Sequence, residues 1–113
     1  MSSRLRSDIF VAALIRRAEV AGAFAMLRRR GAAEAGAIFI KVDRLDGFAA
    51  LFGPAAQSEV GDDGMHRFRL LQKEDWVSPG DVEARIAREV KFDFDLWLVE
   101  IEDREGRCFV ELA

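Results

Sequence analysis

The stretch RRRGAAEAGAIFIKV, residues 28–42, decides the fold, because here the chain turns between two apolar segments. Its glycines, Gly31 and Gly36, have the separation found in a phosphate-binding loop. However, Ala37 and Ile38 stand where such a loop needs Lys and Ser or Thr, and the residues that follow favour a strand instead of a helix. We therefore predict a hairpin turn, in which the two glycines supply backbone freedom between two paired strands.

Further strand signals lie on both sides of this turn. Residues 23–29 and 36–42 read as the two strands of the hairpin, and Asp46-Gly47 predicts a second reversal, because these residue types tolerate positive φ. Three antiparallel strands joined in this way form a meander. Residues 53–64 read as a loop, and residues 65–73 predict a fourth strand.

The end of the chain predicts another hairpin. Trp97, Val99 and Ile101 alternate with their neighbours along one strand, and the same alternation continues from Cys108 after a turn at residues 103–106. This register makes one face of the hairpin wholly apolar, a pattern that is typical of antiparallel sheets with one buried face.

Two helices complete the predicted fold. Ser7 and Asp8 are good N-cap residues for a helix that runs to about Ala21, and SPGD at residues 78–81 is a helix start in which Ser78 caps. The sequence thus predicts one α+β domain over residues 1–113. Its antiparallel sheet has five to six strands, a meander plus a C-terminal hairpin, and two helices pack on one face.

Composition and charge narrow the class of protein. The chain has 113 residues, 50% of them hydrophobic, and a single cysteine, so no internal disulfide can form. The apolar run at residues 9–15 is too short to span a membrane, and we expect a soluble cytoplasmic protein. Residues 1–44 carry nine basic and four acidic side chains, and residues 45–113 carry eight and sixteen. This asymmetry can be neutralised within the fold or between chains.

The arginines are the leading candidates for a site. In a regular strand Arg28 and Arg30 share one face, where they could bind a carboxylate or phosphate, and Arg16 and Arg17 could join them from the first helix. This basic edge would hold an acidic protein partner or a small anionic ligand, with a homodimer as one arrangement. The alternative is a set of solvated arginines satisfied by acids of the same chain. Nucleic acid is disfavoured, because the chain has no tyrosine and an acidic pI.

A second hypothesis is a small enzyme that depends on carboxylates or a metal. Asp93 and Asp95 alternate with phenylalanines, and His66, the one histidine, could join them as a general base. The chain lacks the paired His and Cys residues of ordinary metal sites, so we expect no metal and no cofactor. These features leave enzymatic activity undecided and favour the binding module.

Three segments also carry a resemblance. LRSDIFVAALIRRAEVAGAFAMLRRRG, AGAIFIKVDRLDG and FDFDLWLVEIEDREGR resemble a family of small bacterial proteins that is catalogued only as a domain of unknown function. The resemblance covers nearly the whole chain. It implies a single-domain cytoplasmic protein, and it assigns no activity, ligand or catalytic residue.

Overall fold

The computed structural model describes residues 5–56 and 66–113, and these residues form two helices and a five-stranded sheet. The predicted α+β class is confirmed. Most of the predicted loop at 53–64, and the first residue of the predicted fourth strand, lie outside the described residues. In chain order the elements are α1 (Ser7–Val20), β1 (Phe24–Arg29), β2 (Ile38–Asp43), β3 (Ala49–Pro54), β4 (Phe68–Leu70), α2 (Pro79–Phe92) and β5 (Trp97–Glu102).

The sheet is mixed, with the strand order β1-β5-β2-β3-β4. Strand β5 runs parallel to β2 and antiparallel to β1, and the other neighbours are antiparallel. The predicted all-antiparallel sheet is therefore wrong, and so is the hairpin at Gly31 to Gly36, since β5 separates β1 from β2. The reversal at Asp46-Gly47 is confirmed, because β2 and β3 pair across it.

The central position of β5 follows from its side chains. Trp97, Val99 and Ile101 are buried on one face, and Leu98 is buried on the other. A strand that is apolar on both faces is stable only where both faces are covered, which is the interior of a sheet. The predicted C-terminal hairpin is wrong, because β5 pairs with β1 and β2 and not with residues 107–113. Those last residues contribute only a single bridge to β4.

The two helices lie on opposite faces of the sheet, so the prediction that both pack on one face is also wrong. From α1, Leu14 is fully buried in a cluster with Ile40 and Val99. From α2, Ile86 packs in a second cluster with Phe39. Successive side chains of a strand point to opposite faces, and the apolar residues of β2 occupy both alternations, so each face needs a helix.

The segment between β1 and β2 packs closely against the start of β5. The amide of Ala32 donates to the carbonyl of Asp95 at 2.9 Å. A Cβ atom added to Gly31 would lie 2.2 Å from that Asp95 oxygen, and one added to Gly36 would lie 2.4 Å from it. Both glycines are thus required for close approach of two backbones and not for a turn of a hairpin.

The helix starts differ in how they are capped. The Oγ of Ser78 accepts a hydrogen bond from the amide of Asp81 at 3.1 Å, so the predicted cap of α2 is confirmed. In contrast, Ser7 is the first residue of α1 and is buried, and its hydroxyl donates to the carbonyl of Gly36 at 2.7 Å. That hydroxyl joins α1 to the β1–β2 segment instead of capping the helix.

Candidate functional site

Arg28 is the centre of a charged cluster between α2 and the sheet. Its Nη1 and Nη2 donate to the two carboxylate oxygens of Glu83 at 2.7 and 2.9 Å, and Nη1 also donates to Glu100 at 3.0 Å. The Nζ of Lys41, a residue only 6% exposed, lies 2.7 Å from Glu83 and 3.8 Å from Glu100. The four charges sum to zero. The guanidinium of Arg28 is therefore already occupied by carboxylates of its own chain.

The cluster also perturbs the ionisation of its members. The hydrogen bonds from Arg28, with the hydrogen bond and charge of Lys41, lower the pKa of Glu83 from 4.5 to about 2 against the opposing effect of burial. The pKa of Arg28 is raised in turn, chiefly by its hydrogen bond to Glu83. Glu83 and Arg28 therefore stay ionised at neutral pH, and the hydrogen bonds of the cluster attach α2 to β1, β2 and β5.

A bulge in β1 separates the predicted arginine pair. The register against β5 shifts between Leu27 and Arg29, so Arg28 and Arg29 both point to the α2 face. Arg30 is thereby turned to the α1 face, where its guanidinium carbon lies 5.4 Å from the ring centre of Trp97. The prediction that Arg28 and Arg30 share one face is wrong, because an irregularity of one residue reverses the alternation.

The two arginines of α1 lie apart from this cluster. Arg16 and Arg17 occupy the last turns of α1, next to the start of β1, whereas Arg28 and Arg30 lie at its end. Arg17 donates to the carbonyl of Phe109, and Arg16 is exposed. A six-residue strand is about 17–20 Å long, so the four predicted arginines do not form one contiguous patch.

The residues of the enzyme hypothesis occupy two separate places. The Oδ1 of Asp93 accepts a hydrogen bond from the amide of Asp95 at 2.9 Å, in the connection between α2 and β5. The Nε2 of His66 donates to the carbonyl of Leu5 at 2.7 Å, and its ring centre lies 4.5 Å from that of Phe10. His66 lines a cavity of about 380 Å³ that neither carboxylate lines. Within residues 5–56 and 66–113, no cluster of three His, Cys, Asp or Glu side chains could hold a metal.

The outer edge of β1 is a feature that the sequence reasoning missed. The exposed fractions are 56% for Phe24 and 37% for both Met26 and Leu27. No described residue forms a backbone hydrogen bond to the side of β1 that faces away from β5. The opposite edge of the sheet is protected, because the backbone of Phe68 in β4 bonds to Glu111 and Ala113. Apolar residues at positions 24–27 indicate a binding surface only once their strand is known to lie at the edge of the sheet.

The ends of this edge differ in charge. At the end of β1, Arg29 donates to the carbonyl of Phe94 at 2.8 Å, and neither Arg29 nor Arg30 forms an ion pair with a residue that the structure describes. At the start of β1, Phe24 lies opposite Glu102, and Glu102 lies opposite Asp43 on the next strand. On the α2 face the edge thus has Arg29 at one end and Glu102 at the other, with apolar side chains between them, while Arg16 and Arg17 of α1 lie next to the Glu102 end.

Comparison with known proteins identifies the family. The model of a protein family described as "Protein of unknown function (DUF1491)" matches residues 5–111. The chain belongs to the DUF1491 family. Among curated proteins no match is found.

Solved structures of similar proteins share this fold. A crystal structure of a family member from Caulobacter crescentus CB15 is 41% identical, with a TM-score of 0.80, over 96% of this chain and 97% of that one. A solution structure of a protein from A. tumefaciens is also 41% identical, with a TM-score of 0.83, over 97% and 95% of the two chains. None of the helices in the described part of the chain is long and apolar enough to cross a membrane.

Proposed function

We propose that this DUF1491 protein is a small protein-interaction module that binds an extended, acidic segment along the outer edge of β1. One observation carries the proposal. The edge of β1 combines six strand residues, exposed Phe24, Met26 and Leu27, and an outer side without backbone partners among the described residues. Such an edge is a template for the addition of another strand.

The backbone and the apolar side chains of β1 contribute differently to this mode of binding. Main-chain hydrogen bonds to β1 supply affinity for any extended segment, and contacts with alternate side chains select among segments. On the α2 face the partner would meet Phe24 and Met26, and on the α1 face it would meet Leu27. A segment with apolar residues in both alternations fits both faces.

The preference for acidic segments rests on the arginines at the end of β1. Arg28 is neutralised by Glu83 and Glu100, but Arg29 and Arg30 have no carboxylate partner in the described structure. A carboxylate of the bound segment could pair with either of them, and a bidentate contact is the geometry that a guanidinium favours. The basic edge is therefore proposed for Arg29 and Arg30, with Arg28 fixed in its own cluster and with Arg16 and Arg17 at the far end.

A small anionic ligand and the enzyme hypothesis receive less support. The arginines at the end of β1 line none of the cavities around His66, and His66 does not meet Asp93 or Asp95 in either of those cavities. We also infer a cytoplasmic location, which the single cysteine supports, since secreted domains of this size use even sets of cysteines. Cell fractionation tests that location.

Selection of peptides on the purified protein tests the proposed function. We expect a displayed peptide library to yield extended sequences with apolar residues in both alternations and an acidic end. Binding of the selected peptides should be lost in Met26→Lys, which places a charge in the middle of the edge, and should weaken at least tenfold in Arg29→Glu/Arg30→Glu. Arg88→Glu, which reverses an exposed charge of α2 away from β1, is the matched control. Peptides that bind Met26→Lys as well as the natural sequence would refute the assignment of the edge.

A further inference from the structure

We infer that the partner at this edge is a second copy of this chain, and that two copies pair β1 with β1, antiparallel, around a two-fold axis at Met26. The acidic group then comes from Glu102 of the neighbouring strand β5, because β1 itself carries no carboxylate. The inference rests on the proposed function, because it uses the same edge of the sheet. It names the occupant and predicts one continuous sheet across the dimer. Two features of the edge support it: the residues that face each other in the paired strands, and the charges at the two ends.

The register follows from the requirement that opposite residues point to the same face. A two-fold axis perpendicular to the sheet keeps the α2 faces of both copies on one side. A residue of β1 that points to the α2 face must therefore lie opposite one that also points to the α2 face, so even-numbered residues pair with even-numbered ones and odd with odd. With Met26 on the axis, it faces its own copy, Ala25 faces Leu27, and Phe24 faces Arg28. No two like charges are then directly opposite, and the Phe24 ring lies beside the aliphatic stem of an arginine.

Moving the axis by one residue gives a poorer arrangement. With Leu27 on the axis, Ala25 would face Arg29 across the bulge, and Phe24 would extend past the paired region without an opposite residue. A bulged residue leaves the ladder, so pairing through Arg29 is disrupted. The Met26 register keeps the bulge at the margin and places all exposed apolar side chains of β1 inside the interface.

On the α2 face, the charges at the ends of the edge are complementary in an antiparallel pair. Arg29 of one copy lies toward the end of the other copy where Glu102 flanks Phe24 on β5, whereas Arg30, Arg16 and Arg17 belong to the α1 face. Arg29 and Glu102 both point to the α2 face. Glu102 is separated from the partner's β1 by two strand spacings, about 10 Å, which the two long side chains can bridge together. A parallel pairing would instead place the Arg29 ends of both copies side by side.

The expected interface is small. A pair of six-residue strands with a few apolar side chains buries less than the roughly 800 Å² per partner of a standard interface. We therefore expect a dimer that dissociates in the micromolar range and weakens with salt. Sedimentation from a few micromolar to several hundred micromolar protein should show the mass rising from 12.7 kDa toward twice that value.

A mixing experiment tests the charge pairing. Arg29→Glu and Glu102→Lys each place like charges at both ends of a homodimer, so each variant alone should dimerise at least tenfold more weakly. A mixture of the two restores opposite charges at both ends of the heterodimer. We expect the mixture to dimerise more strongly than either variant alone, and no gain on mixing would overturn the charge pairing.

Cross-linking tests the register without depending on charge. In a Cys108→Ser background, Met26→Cys places a thiol opposite its own copy, where the Cα–Cα separation of about 4.5–5.5 Å suits a disulfide. We expect rapid disulfide dimers of this variant under mild oxidation. Phe92→Cys is the control, because Phe92 is 88% exposed but lies at the end of α2 and outside β1. Equal cross-linking of the two variants would overturn the assignment of the axis.

The inference and the proposed function can fail separately. If the chain stays monomeric at every concentration and Met26→Cys does not cross-link, the second copy is excluded as the partner. The proposed function then stands if Met26→Lys still abolishes binding of the selected peptides. If dimers form but Met26→Lys leaves both dimerisation and peptide binding unchanged, the edge of β1 is not the docking surface and both proposals are overturned.

Discussion

Acidification should loosen α2 from the sheet through Glu83. Its pKa is about 2 in the folded protein, against an ordinary value of 4.5. A lowered pKa stabilises the fold above the unfolded-state value and loses that contribution as pH falls toward the folded-state value. The difference between these two pKa values corresponds to ~3.4 kcal/mol before screening. The Glu83 side chain is 40% exposed, so solvent screening reduces the expected contribution to about 1–2 kcal/mol.

Urea unfolding of the natural sequence and of Glu83→Gln, at several pH values between 7 and 2, measures this contribution. At pH 7 we expect Glu83→Gln to be less stable by about 1–2 kcal/mol, because the neutral amide pairs less strongly with Arg28 and Lys41. The difference should begin to shrink near pH 4.5, fall to less than half by pH 3, be small at pH 2 and vanish only below it. Glu74→Gln, at an exposed carboxylate before α2, is the control and should show little change. A difference that stays constant with pH would refute the linkage.

Substitutions at Gly31 and Ser78, each with a comparison variant, test why these two residues are needed at their positions. Gly31→Ala should destabilise the protein by about 2–3 kcal/mol, because its Cβ would meet the backbone of Asp95. The comparison is Gly47→Ala, whose Cβ meets no atom within 4 Å. It should cost only about 1–2 kcal/mol, because alanine is strained at the positive φ of that position. Thermal unfolding compares the two, and equal losses would contradict the close-approach argument. Ser78→Ala should cost about 1 kcal/mol by removing the cap of α2, with Ser78→Asp restoring it, and no loss in urea unfolding would show that the cap is not needed.

The parts of the fold that could be predicted from the sequence are those set by nearby residues. The α1 and α2 helices, the Ser78 cap and the reversal at Asp46-Gly47 depend on contacts within a few residues, and the structure confirms them. In contrast, which strands lie beside β5 depends on how side chains are buried across the whole sheet. Alternation at residues 97–101 predicted one buried face, but Leu98 is buried on the other face as well, and only the assembled sheet shows that both faces are covered.

The candidate site was less predictable for a related reason. Arg28 and Glu83 are 55 residues apart, and no local pattern links a strand arginine to the second turn of a distant helix. One signal was nevertheless present. Lys41 interrupts the apolar strand IFIKV, and a lysine at such a position is buried only when carboxylates neutralise it. That observation could have predicted an acidic partner for β2, although not which acid supplies it.

The exposed edge of β1 follows from the size of a helix relative to the sheet. A helix is about 10 Å wide with its side chains and covers roughly two strands at a spacing of about 4.8 Å. On one face, α2 packs over β3 and β2 and reaches toward β1 only through Glu83. Among the described residues, no helix therefore lies above Phe24 and Met26. Polar side chains would be the neutral choice at such positions, so a phenylalanine and a methionine beside an open strand edge favour a surface that is covered when the protein meets its partner.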